Sequence, residues 1–186
     1  MLIDHNRDKL FALIFHFTKH TKYCNKTKLF KLLYHVDFWH CKQTGKPITN
    51  MTYETWEKGP VPRELWRELK FPSEDFKKAF ATWKDEGSEK LNVKVRPNFK
   101  PKNEFFTPRE VEIIRRVTEI YKNEKSDVMW KSTHLPNDPW DRARTDFGMK
   151  REIPYDYSLD SSPESLTREQ YNERLADHLE TRDALE

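Results

Sequence analysis

The strongest constraint on this chain is an apolar helix that is cut short. In KLFKLLYHVDFWH, residues 28–40, Leu29, Leu32, Leu33 and Val36 fall on one helical line and Phe30, Leu33, Tyr34 and Asp37 on the next. A face that wide needs cover from two sides. Gly45 and Pro47 stop the helix, because glycine takes the left-handed end conformation and proline cannot extend the hydrogen-bond ladder. MTYETW, residues 51–56, then suits an extended segment, whose period of two sends Tyr53 and Trp56 to opposite faces. Gly59-Pro60-Val61-Pro62 ends that segment and opens a helix at RELWREL. Asp37 interrupts an apolar line, and a buried carboxylate there must find hydrogen bonds or a cation. His134 or the amides of the Gly59-Pro60-Val61 turn are the expected donors, with Asp37 acting as a clamp.

Around this centre the pattern is mostly helical. Asp4 or Asn6 caps a first helix through Leu10, Leu13, Ile14 and Phe17, and Asn25 or Thr27 caps the second. Ser73 is positioned to cap a helix over residues 74–84 with Phe76, Phe80 and Trp83 inward, ended by Gly87. Residues 91–96 alternate with period two and predict an edge strand. A small antiparallel sheet with residues 52–56 is expected, whether or not residues 104–106 join it. Thr107-Pro108-Arg109-Glu110 is a capping box with proline at the first helical position, opening a helix through Val111, Ile114, Val117, Thr118 and Tyr121. A short helix from Ser126 ends near His134. The expected fold is therefore mainly α, a compact helical domain with a small antiparallel β-sheet, over residues 1–145. Residues 146–186 are expected to form an extended linker and a helix docked on that domain. A second capping box, Thr167 with Gln170, and the narrow stripe Tyr171, Leu175, Leu179 mark that helix.

Composition sets the class. Hydrophobic and charged residues each make up 35% of the 186 residues, a balance that suggests disorder until the 13% of aromatic residues is weighed. Large rings bury area that smaller aliphatics would otherwise supply, so a packed core within a charged surface is expected. The net charge of +3 is spread along the chain and by itself makes no strong case for nucleic acid. Two cysteines, Cys24 and Cys41, without C-x-x-C spacing imply no disulfide framework and point to a reducing cytoplasm. No apolar run is long enough for a bilayer, and no signal peptide is recognisable.

Signatures of chemistry are scarce. With four glycines there is no phosphate loop, and neither a nucleophile elbow nor an H-E-x-x-H pair is present. His16 and His20 have metal-ligand spacing on a helix but no third ligand nearby, so no metal or other cofactor is expected. His35 and His40 fall on different helix faces, and Cys41 next to His40 cannot form a catalytic pair on a regular helix. With Asp37, His134 and Asp138 left as isolated groups, no catalytic residue is assigned and an enzyme is not expected.

The order KLLYHVDFWH, TGKPIT, YETWEKGPVPRELW, followed downstream by His134 and Pro139-Trp140, resembles the Panacea domain, the GepA/SocA-like, phage-associated antitoxin family. The resemblance covers roughly residues 8–145. It implies an antitoxin that neutralises a cognate toxin by direct protein binding. Asp37, Gly59, Pro60, His134, Pro139 and Trp140 are then the motif residues that hold the scaffold. Tyr53, Trp56, Lys58, Gly59 and Arg63 are the candidate partner-binding residues, since rings and arginines dominate binding energy. Neutralisation by masking the toxin and by delivery to a protease both remain open. An alternative from another class is a nucleic-acid-binding, autoregulatory protein, in which Lys22, Lys26, Lys28 and Lys31 meet DNA phosphates near a helix start.

Overall fold

The computed structural model describes residues 5–88 and 90–183, apart from the side chains of Trp130 and residues 181–183. Its centre is α2 (Lys26–Thr44), in which thirteen residues are buried. Asn25 caps this helix by accepting from the Lys28 amide at 3.0 Å, and Gly45 ends it at φ 85°. Thr27 lies inside the helix rather than capping it. Helices α1 (Asn6–His20), α5 (Pro108–Tyr121) and α6 (Ser126–Ser132) pack around α2, together with a β-hairpin and the 3-10 turn Tyr155–Ser158. The wide apolar face thus has cover on every side.

That hairpin joins β1 (Tyr53–Trp56) to β2 (Gly59–Pro62), antiparallel and in the register Tyr53↔Pro62 to Trp56↔Gly59. Here the structure corrects the sequence reading, in which the GPVP run ends a strand. It forms one, because Gly59 and Val61 keep the N–H groups that Pro60 and Pro62 lack, and Glu57-Lys58 closes a tight turn. Helix α3 (Arg63–Lys70) follows directly, with Leu65 and Leu69 inward.

A second correction concerns residues 74–84. Helix α4 (Glu74–Ala79) stops early, and β3 (Phe80–Lys84) pairs antiparallel with β4 (Leu91–Val95). Phe76 and Phe80 suit an inward face in either period, but pairing Phe80 with Val95 and Thr82 with Val93 satisfies the backbone and leaves Trp83 42% exposed. The strand over residues 91–95 therefore pairs with β3, not with residues 52–56, and residues 104–106 join no sheet. Ser73 holds the N-cap position of α4 without a capping bond; its hydroxyl instead lies 2.5 Å from a carboxylate oxygen of each of Glu68 and Asp75. At α1 the N-cap is His5, Asn6 is already helical, and Asp4 lies outside the described residues.

Both capping boxes form. Thr107 accepts from the Glu110 amide at 3.2 Å while Glu110 accepts from the Thr107 amide at 2.8 Å, and Thr167 and Gln170 repeat the exchange at the start of α8 (Arg168–Asp183). Glu110 is also buried against α1, where Lys9 donates to it at 2.7 Å. After α7 (Pro139–Phe147) the chain runs along the free edge of β1. Thr55 donates its amide to the Arg151 carbonyl at 2.8 Å, and Ile153 donates to Tyr53 at 2.8 Å with its own side chain in the core. Cys41, on α2, is buried under Leu166 and Tyr171, which bring α8 onto the molecule. Eight α-helices and two two-stranded sheets among the described residues make the fold mainly α with a small β component.

Candidate functional site

The two halves of the motif meet at Gly59. Its φ of 108° favours a residue without a side chain, and a Cβ there would come within 3.2 Å of His134 Cε1, 3.3 Å of Thr133 Oγ1 and 3.4 Å of Lys31 Cε. His134 in turn lies 3.9 Å, ring centre to ring centre, from Trp140, which is buried as the second residue of α7 behind Pro139. Gly59, His134 and Trp140 thus stack in sequence from hairpin to α7, and α2 backs them through Lys31.

Asp37 is fully buried, but neither His134 nor the Gly59-Pro60-Val61 turn supplies its donors. The amides of Ile48 and Thr49 donate to Oδ1 at 2.9 and 2.8 Å, and the hydroxyls of Thr49 and Tyr53 donate to Oδ2 at 2.5 and 2.7 Å. The carboxylate fixes the loop after α2 to the first residue of β1. Burial outweighs these four donors and pushes Asp37 up to about 6. Tyr53 belongs to this buried set, and its phenol is raised well above its ordinary range by burial and by the Asp37 charge. Asp138 is likewise pushed up, to about 7, by burial and then by Asp141.

Of the five residues proposed for partner contact, Tyr53 and Gly59 are buried, while Lys58 and Arg63 are exposed and Trp56 is half-buried. The alternation of β1 explains the split: Tyr53 and Thr55 point inward, and Glu54 and Trp56 face out. The outward face also carries Trp66, a residue the sequence reading left aside although its position was legible. In α3, Arg63, Trp66, Arg67 and Lys70 recur at three and four, opposite Leu65 and Leu69. The Trp56 and Trp66 rings lie 5.4 Å apart at 49°. The indole N–H of Trp56 donates to Glu54 at 3.0 Å, and Arg63 approaches the same carboxylate at 3.5 Å. Lys150 sits 6.0 Å from the Trp56 ring and Lys70 5.4 Å from that of Trp66.

Other candidate groups are committed to the scaffold. Lys28 is fully buried and its ammonium donates to the carbonyls of Lys22, Tyr121 and Glu124 at 2.7, 2.8 and 2.6 Å. Lys31 donates to the Ser126 carbonyl at 3.1 Å, and burial pushes it down to about 8. Two of the four lysines assigned to phosphates are therefore bound inside, because helix α2 starts against the carbonyl end of α5 rather than at the surface. His35 is buried against Tyr121 with ring centres 4.7 Å apart and is pushed down to about 3 by burial and the Lys31 charge. His16 meets Thr118 at 2.9 Å, and His40 meets the Lys46 carbonyl at 2.6 Å. Burial drives the Cys41 thiol up to about 12. Among the described residues no three histidine, cysteine or carboxylate side chains are grouped to hold a metal ion, and no helix is long and apolar enough to cross a membrane.

The fold and this geometry define a helical protein whose motif residues brace a β-hairpin from behind and turn a tryptophan pair outward. Residues 29–141, well over half of the chain, match the family model of the antitoxin SocA-like, Panacea domain, and the chain belongs to that family. Comparison with curated proteins and with solved structures gives no match.

Proposed function

We propose that this protein is an antitoxin that neutralises a cognate toxin by direct protein–protein binding, through the face formed by β1, β2 and α3. Family membership over residues 29–141 carries the reading. The outward-facing arrangement of the half-buried Trp56 and Trp66 beside the exposed Lys58 and Arg63 supports it, since aromatic and arginine anchors beside an apolar floor are what protein interfaces use. The burial of Lys28 and Lys31 weighs against the DNA-binding alternative. The test is affinity capture of the tagged protein from its own cells at low and high salt, with the eluate identified by mass spectrometry. A stoichiometric protein that survives high salt, arrests growth when expressed alone and is relieved by this chain is the expected outcome. Recovery of nucleic acid alone, released steeply by salt, would favour the alternative.

A further inference from the structure

Two cavities flank the tryptophan pair. One, of about 240 Å³, is floored by Phe30, Pro60 and Val61 and edged by Lys26 and Lys58. The other, of about 170 Å³, lies between Glu54, Arg63 and Arg67. Trp56, Val61 and Trp66 line both, so the indole pair forms a ridge with a cation-edged hollow on each side. Each hollow is smaller than the roughly 300–1,000 Å³ of a small-molecule site, and their size suits single side chains.

The charges around the ridge are poorly balanced. Glu54 is engaged by the Trp56 indole and by Arg63. Among the described residues Lys26, Lys58 and Arg67 have no carboxylate partner within 4.0 Å. Burial lowers the pKa of Lys26, and the nearby charges of Lys84 and Lys58 lower it further, so the lysines on this side repel one another. Such a cluster is relieved by a ligand that brings negative charge.

We infer that the ridge is the seat of an extended acidic segment of the partner protein, its carboxylates meeting Lys26 and Lys58 on one side and Arg63 and Arg67 on the other, with apolar side chains filling the two hollows. This deepens the toxin-binding reading and rests on it for the identity of the partner. A peptide fits better than single-stranded nucleic acid, which also uses basic and aromatic surfaces. The two indoles are packed on each other and carry Lys150 and Lys70 over their rings, which leaves no open platform on which bases could stack, while the two hollows suit single side chains.

The experiment is an NMR titration of the labelled full chain with the peptide acetyl-Glu-Asp-Leu-Glu-Asp-Phe-Glu-amide, its Gln/Asn isostere, and an oligothymidylate of equal charge. Shifts centred on Trp56, Lys58, Val61, Arg63 and Trp66 are expected, with at least tenfold weaker binding of the isostere. Both substituted sites are exposed, so Lys58→Glu/Arg63→Glu is expected to fold and to weaken acidic-peptide binding at least tenfold. Lys78→Glu/Arg109→Glu, which lines neither hollow, should leave it unchanged. No binding, equal binding of the isostere, shifts elsewhere or tighter binding of the oligonucleotide would each overturn the assignment. Capture of the growth-arresting toxin separates the two levels. If wild type and Lys58→Glu/Arg63→Glu retain it equally, the seat is wrong and toxin binding stands. If neither retains a toxin, the toxin reading falls while the peptide titration still decides the seat.

Discussion

Asp37 shows how one carboxyl group can order a loop. Its two oxygens collect two amides and two hydroxyls, none of which has water to fall back on. Asp37→Ala strands all four donors and leaves a cavity, and a loss of about 3–5 kcal/mol in denaturant unfolding is expected. Asp37→Asn should cost much less, because its carbonyl keeps the two amides and its NH₂ can donate to the two hydroxyls, which can turn to accept. The pH dependence follows from the raised pKa. The group passes from an ordinary value near 3.8 in the unfolded chain to about 6 in the fold, so its stabilising effect is full below 3.8 and is lost as pH rises through 6. Between pH 4 and 7.5 the unfolding free energy of wild type should fall relative to Asp37→Asn by about 3 kcal/mol, two pKa units at ~1.4 kcal/mol each. An unchanged difference across that range would mean that the ionised form is as well held as the neutral one.

At the scale of elements, a single lysine joins two helices. Lys28, in the first turn of α2, donates to the carbonyl of Tyr121, the last residue of α5, where the helix dipole favours a cation, and to that of Glu124 just beyond it. Lys28→Met fills the same space without the charge, and a loss of about 2–4 kcal/mol is expected in chemical denaturation, since several buried acceptors lose a charged donor. This role was hidden in the sequence, where a lysine among lysines reads as surface. The helices with strong local signals were legible: the span of α2, the Thr107–Glu110 box and the Thr167–Gln170 box all rest on interactions within four residues. The hairpins were not, because Phe76, Phe80 and Trp83 fit both periods and two prolines disguised β2 as a break. The site was legible in part. Alternation in β1 announced that Tyr53 and Trp56 part company, but only the packing of α3 onto the hairpin shows that Trp66 completes the pair.

The whole molecule depends on its last forty residues more than their polar composition suggests. Residues 150–153 pair along β1, Ile153 enters the core, and Tyr155 donates to the Met51 carbonyl at 2.7 Å while packing 4.7 Å from Phe38. A chain ended at residue 145 exposes an unpaired strand edge and these core contacts, and it is expected to lose its cooperative thermal transition, whereas ending at residue 167 should preserve it. The docking of α8 has a further consequence at Cys41. Its thiol is fully buried beneath Leu166 and Tyr171 and is held in the unreactive, protonated form. An alkylating reagent can therefore reach it only in the fraction of time that the tail stands open, and the labelling rate becomes a clock for that opening. Tyr171→Ala should speed labelling of Cys41 many-fold and leave that of Cys24 unchanged, as read by peptide mass mapping. A partner that grips the tail would slow the same clock, so this thiol can report whether partner binding leaves the C-terminal helix free to lift.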